Sequence, residues 1–225
     1  DEILTRLLKE ENYVSGEELA RQTGVSRAAV WKAIKSLKKS GYDIEGVTKC
    51  GYKLKQNNSL VTAEGVKALL EKDIEVTHFD TVDSTNTYCK RLLADGKQGE
   101  FLVTAAKQTA GRGRQGKSFY SPSETGIYFS LVIRPDTSLQ NAVTATTAAA
   151  VAVCKAIEKT TDLKPKIKWV NDVYLNGKKV CGILTEATTD FESGTVDSVI
   201  IGIGINISTT KFPLSLIHIS EPTRH

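Results

Sequence analysis

Apolar residues recur at helical spacing within the first forty positions and predict three short helices. The first helix carries four of them on one face, namely Ile3, Leu4, Leu7 and Leu8. The second helix, over 17–23, starts after a capping box of Ser15 and Glu18 and ends at Gly24. The third helix, over 28–40, follows directly. Two helices joined by a tight turn with glycine are typical of a helix-turn-helix motif.

Polar and apolar residues alternate on both sides of Gly46–Lys49, which predicts a β-hairpin. Three helices followed by a basic hairpin are typical of a winged helix-turn-helix unit, whose third helix would lie in the major groove of DNA. The candidate DNA contacts are Ser26, Arg27, Ala28, Lys32, Lys35, Lys49 and Lys53. Arg27 is best suited to base edges, and the lysines farther along the helix and in the hairpin to phosphates. We expect Trp31 in the core, with stacking on DNA as the alternative.

The charges of this region are unevenly distributed. Residues 1–25 hold three basic and six acidic side chains, a net charge of −3, whereas residues 26–55 hold eight basic and two acidic ones, a net charge of +6. A basic patch confined to one short segment indicates a phosphate-binding face. A module that docks on another protein is the alternative.

A polar segment, QNNS at 56–59, separates this unit from the rest of the chain. We therefore expect a boundary near 56–62, a DNA-binding domain over 1–57 and a larger domain over 62–213. Helices are predicted over 61–72, 84–93 and 141–159, and strands over 74–79, 101–106, 127–133, 166–169, 173–175, 180–185 and 199–207. Asn176-Gly177 predicts a tight hairpin between two of these strands. The fold class is therefore α+β.

The segment 111–118, GRGRQGKS, matches the pattern of a phosphate-binding P-loop. A P-loop requires a helix that begins at its Lys-Ser pair, but the sequence that follows is punctuated by Pro122 and Gly126 and then alternates like a strand. We therefore reject a P-loop. Glycines still allow the backbone to approach a ligand closely, and four cations accompany them: Lys107, Arg112, Arg114 and Lys117. The loop is predicted to bind a small ligand with more than one acidic group.

A second cluster of charges lies around the predicted hairpin. Lys168 and Asp172 flank its first strand, and Lys179 begins the return strand. A carboxylate beside lysines suits Mg²⁺-assisted phosphate chemistry, and a surface salt bridge is the alternative. The strand over 199–207, VIIGIGINI, reads as buried, with glycines that permit close approach of a ligand.

Composition adds the protein class. The chain has 225 residues, 40% of them hydrophobic and 25% charged, as in ordinary soluble domains. No apolar run is long enough to span a membrane, and the charged N-terminus does not resemble a signal peptide. The four cysteines are scattered without a C-x-x-C pair. We interpret them as free thiols of a cytoplasmic protein, with neither a disulfide framework nor a zinc site.

Four motifs occur in order along the larger domain: DSTN at 83–86, QTAGRGRQGK at 108–117, KWVND at 168–172 with KKVCGIL at 178–184, and GIGIN at 202–206. Together with the winged helix, they resemble the bifunctional biotin protein ligase and biotin operon repressor family of the BirA type. The resemblance covers residues 1 to about 213. It implies a mixed β-sheet catalytic domain related to class II aminoacyl-tRNA synthetases.

The resemblance implies a two-step acyl transfer. Biotin and ATP give biotinyl-5′-adenylate and pyrophosphate, and a lysine of a biotin carboxyl carrier domain then attacks the adenylate. The implied biotin contacts are Ser84, Thr85, Asn86, Gln108, Arg112, Gly113, Arg114, Lys179 and Gly182. The implied catalytic residues are Arg112, Arg114, Lys168, Asp172 and Lys179, with Asn171 beside them and Asp172 as the Mg²⁺ ligand. In repressor members, the adenylate favours a homodimer that binds operator DNA.

The chain departs from the family pattern in two places. Val170 replaces the usual proline of KWPND. After Pro213 the family continues and finishes with a small β-barrel, whereas this sequence reads LSLIHISEPTRH. We expect residues 214–225 to be non-native, the β-barrel to be absent and this chain to be a weak or inactive ligase. The alternatives are a ligand-sensing winged-helix transcription factor without chemistry and a lipoate-type ligase of the same architecture.

Overall fold

The computed structural model describes residues 2–55, 61–135, 140–189 and 196–209. The polar segment at 56–59 and the expected non-native tail at 214–225 lie outside these ranges. The chain divides into two compact units, Asp1–Val76 and Thr77–His225. Within the described residues, no helix has the combination of length and apolar character that crossing a bilayer requires.

The first unit is a winged helix-turn-helix, as predicted. Its elements are α1 (Glu2–Lys9), α2 (Gly16–Thr23), α3 (Arg27–Lys39), β1 (Ile44–Val47), β2 (Gly51–Leu54) and α4 (Ala63–Leu69). Ser15 caps α2 by accepting the Glu18 N–H at 3.0 Å, and Gly24 ends the helix in the left-handed conformation at φ 67°. Ser26 caps α3 in the same way. These local signals therefore set the turn between the two helices.

The core of this unit is formed by inward-facing apolar residues of the three helices, including Leu4, Leu7, Leu19, Val30, Ile34 and Leu37. The prediction that Trp31 lies in this core is wrong, because its side chain is 55% exposed. Val30, Ile34 and Leu37 already fill the inward face of α3. Trp31 instead shares the outer face with Lys35, whose Nζ lies 5.2 Å from the centre of the indole ring.

Helix α4 belongs to the first unit and contacts α1. Thr62 caps it by accepting the Gly65 N–H at 3.0 Å. The Thr62 hydroxyl also hydrogen bonds with the Tyr42 hydroxyl, which ties the start of α4 to the end of the helix-turn-helix. The compact unit therefore continues to Val76.

The second unit contains one mixed sheet flanked by helices. Its elements are β3 (Glu75–Phe79), α5 (Thr85–Ala94), β4 (Phe101–Ala105), β5 (Gly126–Ile133), α6 (Gln140–Thr160), β6 (Lys166–Lys168), β7 (Asp172–Leu175), β8 (Lys178–Thr189) and β9 (Val196–Asn206). In the described residues, the strand order is β3-β4-β5-β9-β8-β7-β6. The pairs from β4 to β6 are antiparallel, and an isolated bridge between Val82 and Gln108 is parallel. The predicted α+β class is confirmed.

Strand β9 lies near the middle of the sheet and is buried on both faces. Ile200 packs with Cys89 of α5, whereas Val199 and Ile201 pack with α6. Successive residues of a strand point to opposite faces, so β9 separates an α5 side from an α6 side. Gly202 and Gly204 continue the α5 side from Ile200. Because they lack side chains, they leave a trough where α5 begins.

The cysteines are free thiols, as predicted. Cys50 is exposed, whereas Cys89 and Cys181 are buried. Burial raises the pKa of both buried thiols to about 12, so they are protonated at neutral pH. Their contribution is therefore to the packing of the core.

Candidate functional site

A small cleft, partly open to solvent, lies over the glycines of β8 and β9. Gly182 pairs with Gly204 across these two strands. A Cβ atom on Gly204 would lie 2.4 Å from the Phe119 ring, and one on Gly202 would lie 2.1 Å from Asn86 Oδ1. These two positions therefore require glycine, because the Phe119 and Asn86 side chains that line the cleft pack directly on the strand backbone.

The walls of this cleft bring together every residue that the sequence analysis assigned to biotin: Ser84, Thr85, Asn86, Gln108, Arg112, Gly113, Arg114, Lys179 and Gly182. Asn171 also lines it. The lining further includes residues that the sequence analysis did not assign, namely Phe119, Ile183, Leu184, Gly202, Ile203 and Gly204. Lys168 and Asp172, two of the predicted catalytic residues, are not part of this lining.

The polar end of the cleft is built by the start of α5. Ser84 caps the helix, so that Thr85 and Asn86 occupy its first turn. The Thr85 N–H donates to Gln108 Oε1 at 2.9 Å, and Gln108 Nε2 donates to Ser121 Oγ at 2.8 Å. All three residues of the Ser84–Asn86 segment are buried. This end therefore presents neutral hydrogen-bonding groups in fixed positions.

An ion pair fixes the turn that precedes α5. Arg91 donates to both carboxylate oxygens of Asp83, at 2.6 and 3.0 Å. The hydrogen bond from Arg91 is the main cause that lowers the pKa of Asp83. Asp83 is thus charged at neutral pH and holds the segment that carries the polar end of the cleft.

The glycine-rich loop runs from one strand to another, which confirms the rejection of a P-loop. The Gly113 N–H donates to the Lys117 carbonyl at 2.7 Å, and the Phe119 N–H donates to the Gly111 carbonyl at 2.8 Å. Within this turn Gln115 and Gly116 have φ of 54° and 73°. After Ser118 the chain forms a bridge from Ser121 to Gln108 and then enters β5. The loop thus folds back on itself beside the cleft.

Three cationic side chains line the cleft, and each contacts a residue in the sheet or in a turn between its strands. Arg112 Nη1 lies 3.3 Å from Glu186 Oε1, and Arg114 Nη1 donates to Asn171 Oδ1 at 2.9 Å. Lys179 Nζ lies 2.7 Å from Asp172 Oδ1. The other two cations of the loop, Lys107 and Lys117, are exposed and outside the lining. The cationic end of the cleft therefore consists of two arginines and one lysine.

Lys168 and Asp172 pair directly across β6 and β7. Lys168 is exposed, and its Nζ lies 5.4 Å from the centre of the Tyr174 ring. The Asp172 carboxylate accepts the Lys179 ammonium and also the Asn171 side-chain amide at 3.2 Å. The role assigned to Lys168 stays a prediction, since the structure places its side chain away from the cleft lining.

Glu186 is a component of the site that the sequence analysis missed. Its side chain is 17% exposed and lies on β8, on the same face as Gly182 and Leu184. Burial favours protonation, but hydrogen bonds from Lys90 and Asn86 and the charges of Lys90 and Arg112 outweigh it and lower the pKa of Glu186. The sequence contains a signal for this residue, because an acidic side chain is unusual within an otherwise apolar strand such as CGILTEA.

Most of the candidate DNA contacts of the first unit are exposed. Ser26, Arg27, Ala28, Lys32, Lys35 and Lys49 are exposed. Lys53 is half-buried, and its Nζ lies 5.9 Å from the centre of the Tyr13 ring. The start of α3 therefore presents cations and the Trp31 indole ring together.

The chain is similar to known protein families and proteins along most of its length. The biotin/lipoate A/B protein ligase family matches residues 78–206, and an HTH domain matches residues 1–53. The chain is 40% identical over 199 residues to the bifunctional ligase/repressor BirA of Bacillus spizizenii, covering 87% of this chain and 61% of the relative. It is 31% identical over 215 residues to the bifunctional ligase/repressor BirA of Escherichia coli, covering 96% of this chain and 66% of the relative.

Solved structures agree with these matches. The biotin protein ligase from Aquifex aeolicus in complex with biotin and ATP superposes with a TM-score of 0.52 and 31% identity, covering 63% of this chain and 56% of that chain. The biotin acetyl coenzyme A carboxylase synthetase from Helicobacter pylori superposes with a TM-score of 0.51 and 25% identity, covering 63% and 65%. The chain thus spans less than two thirds of the length of these relatives.

Proposed function

This chain belongs to the biotin/lipoate A/B protein ligase family. We propose that it functions as an ATP-dependent biotin–[biotin carboxyl carrier protein] ligase that also represses transcription. The proposal rests on one observation: a buried, neutral polar end and a cationic end belong to the same cleft. The relatives support it, since their names include ligase and repressor. The two arginines and the lysine of the cleft favour chemistry over sensing alone.

The neutral end of the cleft suits the fused-ring head of biotin. A ureido group carries two N–H donors and one carbonyl acceptor, and the cleft offers Ser84, Thr85 and Gln108 as partners. The Phe119 ring, which packs on Gly204, also lines the cleft and offers an apolar surface for a ring system. We therefore assign the ring system to this end and the carboxylate tail to the cationic end.

The cationic end suits the first chemical step. A carboxylate oxygen of biotin attacks the α-phosphorus of ATP, the new O–P bond forms, and pyrophosphate leaves with the electrons of the broken bond. Both reactants are anions, so Arg112, Arg114 and Lys179 would offset their repulsion and the charge that builds up on the phosphorus centre. No side chain needs to act as a nucleophile in this step.

The second step transfers the acyl group. The uncharged amine of an acceptor lysine attacks the acyl carbon, AMP leaves with the electrons of the broken carbon–oxygen bond, and the nitrogen releases one proton as the amide bond forms. The mixed anhydride between these steps must be kept from water. The folded glycine-rich loop lies beside the cleft with Arg112 and Arg114 directed to it, and we assign it the shielding role.

Asp172 is the residue that we assign to contact Mg²⁺. Mg²⁺ commonly binds one or two carboxylates together with nucleotide phosphates, where it neutralises phosphate charge. The Asp172 carboxylate contacts Lys179 and Asn171. Throughout the described residues, no group of three His, Cys, Asp or Glu side chains could hold a metal alone. Asp172 would therefore contact Mg²⁺ that arrives with ATP.

The first unit would bind operator DNA as part of a homodimer. The HTH match and the basic face of α3 support this role. In helix-turn-helix proteins the start of the recognition helix contacts base edges, and two half-sites are read by a dimer. We assign Arg27 to bases and the surrounding lysines to phosphates.

Trp31→Ala should weaken DNA binding without affecting folding. Because the indole ring is 55% exposed, we expect the free energy of unfolding to change by no more than about 0.5 kcal/mol. Affinity for a mixed-sequence DNA duplex at low salt should fall about fivefold, through the loss of aromatic contact area. Denaturant unfolding and fluorescence anisotropy measure the two effects. Trp169→Ala, at the 75% exposed tryptophan of the second unit, is the control and should leave DNA affinity unchanged.

Calorimetric titration with biotin tests the proposed function. We expect binding to the wild-type chain and about a tenfold loss of affinity in Arg112→Ala, because one charged hydrogen-bond donor of the cleft is removed. No heat with the wild-type chain would refute the assignment of biotin. Stronger competition by lipoate would favour the lipoate-type ligase. In a longer chain that spans the full length of the relatives, biotin binding without biotin-dependent exchange of pyrophosphate into ATP would favour a sensor.

A further inference from the structure

Glu186 is the meeting point of three segments that build the cleft. Its Oε1 accepts Lys90 Nζ at 2.8 Å and lies 3.3 Å from Arg112 Nη1. Its Oε2 accepts Asn86 Nδ2 at 3.0 Å. Asn86 and Lys90 are one turn apart on α5, whereas Arg112 belongs to the glycine-rich loop. A single carboxylate on β8 thus connects the helix and the loop to the sheet.

The Glu186 carboxylate also fixes the orientation of the Asn86 amide. Asn86 Nδ2 donates to Glu186 Oε2 and, at 3.3 Å, to the Leu184 carbonyl, neither of which can donate in return. Asn86 Oδ1 must therefore face Ser130 Oγ, at 2.6 Å. The charge on Glu186 thus determines which atom of the buried amide faces β5.

This orientation extends to the ligand-facing residue Thr85. Thr85 Oγ1 lies 2.7 Å from Ser130 Oγ and donates to Gln108 Oε1 at 3.2 Å. The single hydrogen of the Thr85 hydroxyl is therefore engaged within the protein, and a lone pair is left to accept. An accepting Thr85 oxygen suits a ligand that presents an N–H group to the neutral end of the cleft.

We propose that Glu186 is a positioning residue of the cleft, which orients the Asn86 amide and holds Arg112 beside the cleft before a ligand binds. Lys90 has a separate part in this arrangement. Its ammonium balances the Glu186 charge from the α5 side, so that the Arg112 charge is left to attract the anionic part of a ligand. The consequence for ligand binding rests on the proposed function.

Glu186→Gln tests the inference through two measurements. In the ligand-free chain, hydrogen exchange of residues 110–118 should become about fivefold faster, because the contact that holds Arg112 is lost; this corresponds to about 1 kcal/mol. In calorimetry, biotin affinity should fall about tenfold, because Asn86 and Arg112 are no longer held in place. Glu158→Gln, which removes an exposed carboxylate of α6, is the matched control and should alter neither.

A double variant, Lys90→Met with Glu186→Gln, separates positioning from charge balance. It removes one positive and one negative group, so that the buried region keeps its net charge and the fold is less perturbed. Arg112 still loses its partner, and we expect the same faster exchange and weaker binding as in the single variant. This variant also replaces Glu186→Gln if the single variant does not fold.

The outcomes separate this inference from the proposed function. Unchanged hydrogen exchange of residues 110–118 in these variants would overturn the inference about Glu186, whether or not the wild-type chain binds biotin. Tighter biotin binding would also overturn it, because Glu186 would then be a competitor of the ligand for Arg112. If the wild-type chain binds no biotin, the proposed function fails, and faster exchange would still establish that Glu186 holds the loop.

Discussion

Replacing Lys179 by glutamine is expected to weaken binding of a non-hydrolysable analogue of biotinyl-5′-adenylate about a hundredfold, or roughly 2.7 kcal/mol. Lys179 lines the cleft, and its Nζ lies 2.7 Å from Asp172 Oδ1. Its removal has two effects in the same direction. The ligand loses a charged hydrogen-bond donor, and the Asp172 carboxylate is left without its cation beside the ligand phosphate. Calorimetric titration of the analogue measures the loss.

Lys178→Gln is the matched control for this variant. Lys178 precedes Lys179 on β8, so that its side chain leaves the strand on the opposite side, and it does not line the cleft. Both variants lower the net charge by one, but the Lys178 variant should bind the analogue within about twofold of wild type. Equal losses in the two variants would indicate a general charge effect. Full affinity in Lys179→Gln would exclude Lys179 from the phosphate site.

The sequence motifs predicted most of the residues that line the cleft because each motif folds through contacts within a few residues of chain. Ser84 caps α5, and this local event places Thr85 and Asn86 in the first turn of the helix. The glycines of the 111–116 segment likewise fold the loop through hydrogen bonds within a few residues. Local signals of this kind can be recognised in a sequence without knowledge of the sheet order.

The remaining features depend on contacts between distant segments. Glu186 reaches Asn86 across 100 positions of sequence, and this contact exists only once β8 lies beside β9 and under α5. The prediction for Trp31 failed for a related reason. Periodicity identifies an apolar face but does not say how much apolar surface the neighbouring helices can cover, and Val30 and Ile34 already cover it.

Lys168 shows that residues close together in a sequence motif need not reach the same site. The sequence KWVND brings Lys168 near Asp172, and the two residues do pair across β6 and β7. However, β6 is at the end of the described strand order, and its side chains are exposed. Neither Lys168 nor Asp172 lines the cleft, whereas Lys179 does so from β8. Proximity along the chain therefore does not ensure that a side chain reaches the cavity.

Gly202→Ala is expected to destabilise the second unit by about 1–3 kcal/mol and to abolish measurable biotin binding. A Cβ at this position would lie 2.1 Å from Asn86 Oδ1 and 2.8 Å from Asn86 Cγ, far inside van der Waals contact. Asn86 cannot move away without loss of its bonds to Glu186, Leu184 and Ser130. The substitution should therefore disrupt the polar end of the cleft. Denaturant unfolding and calorimetry measure the two effects.

A double-mutant cycle with Asn86→Ala identifies the cause. In the Asn86→Ala background, the clashing atoms are gone, and Gly202→Ala should change the free energy of unfolding by no more than about 0.5 kcal/mol. Alanine is even slightly favoured over glycine in a strand, because it loses less backbone entropy on folding. An equal cost of Gly202→Ala in both backgrounds would show that the strain lies in the β9 backbone. A strong dependence on the background would establish that Gly202 is required to seat the Asn86 amide.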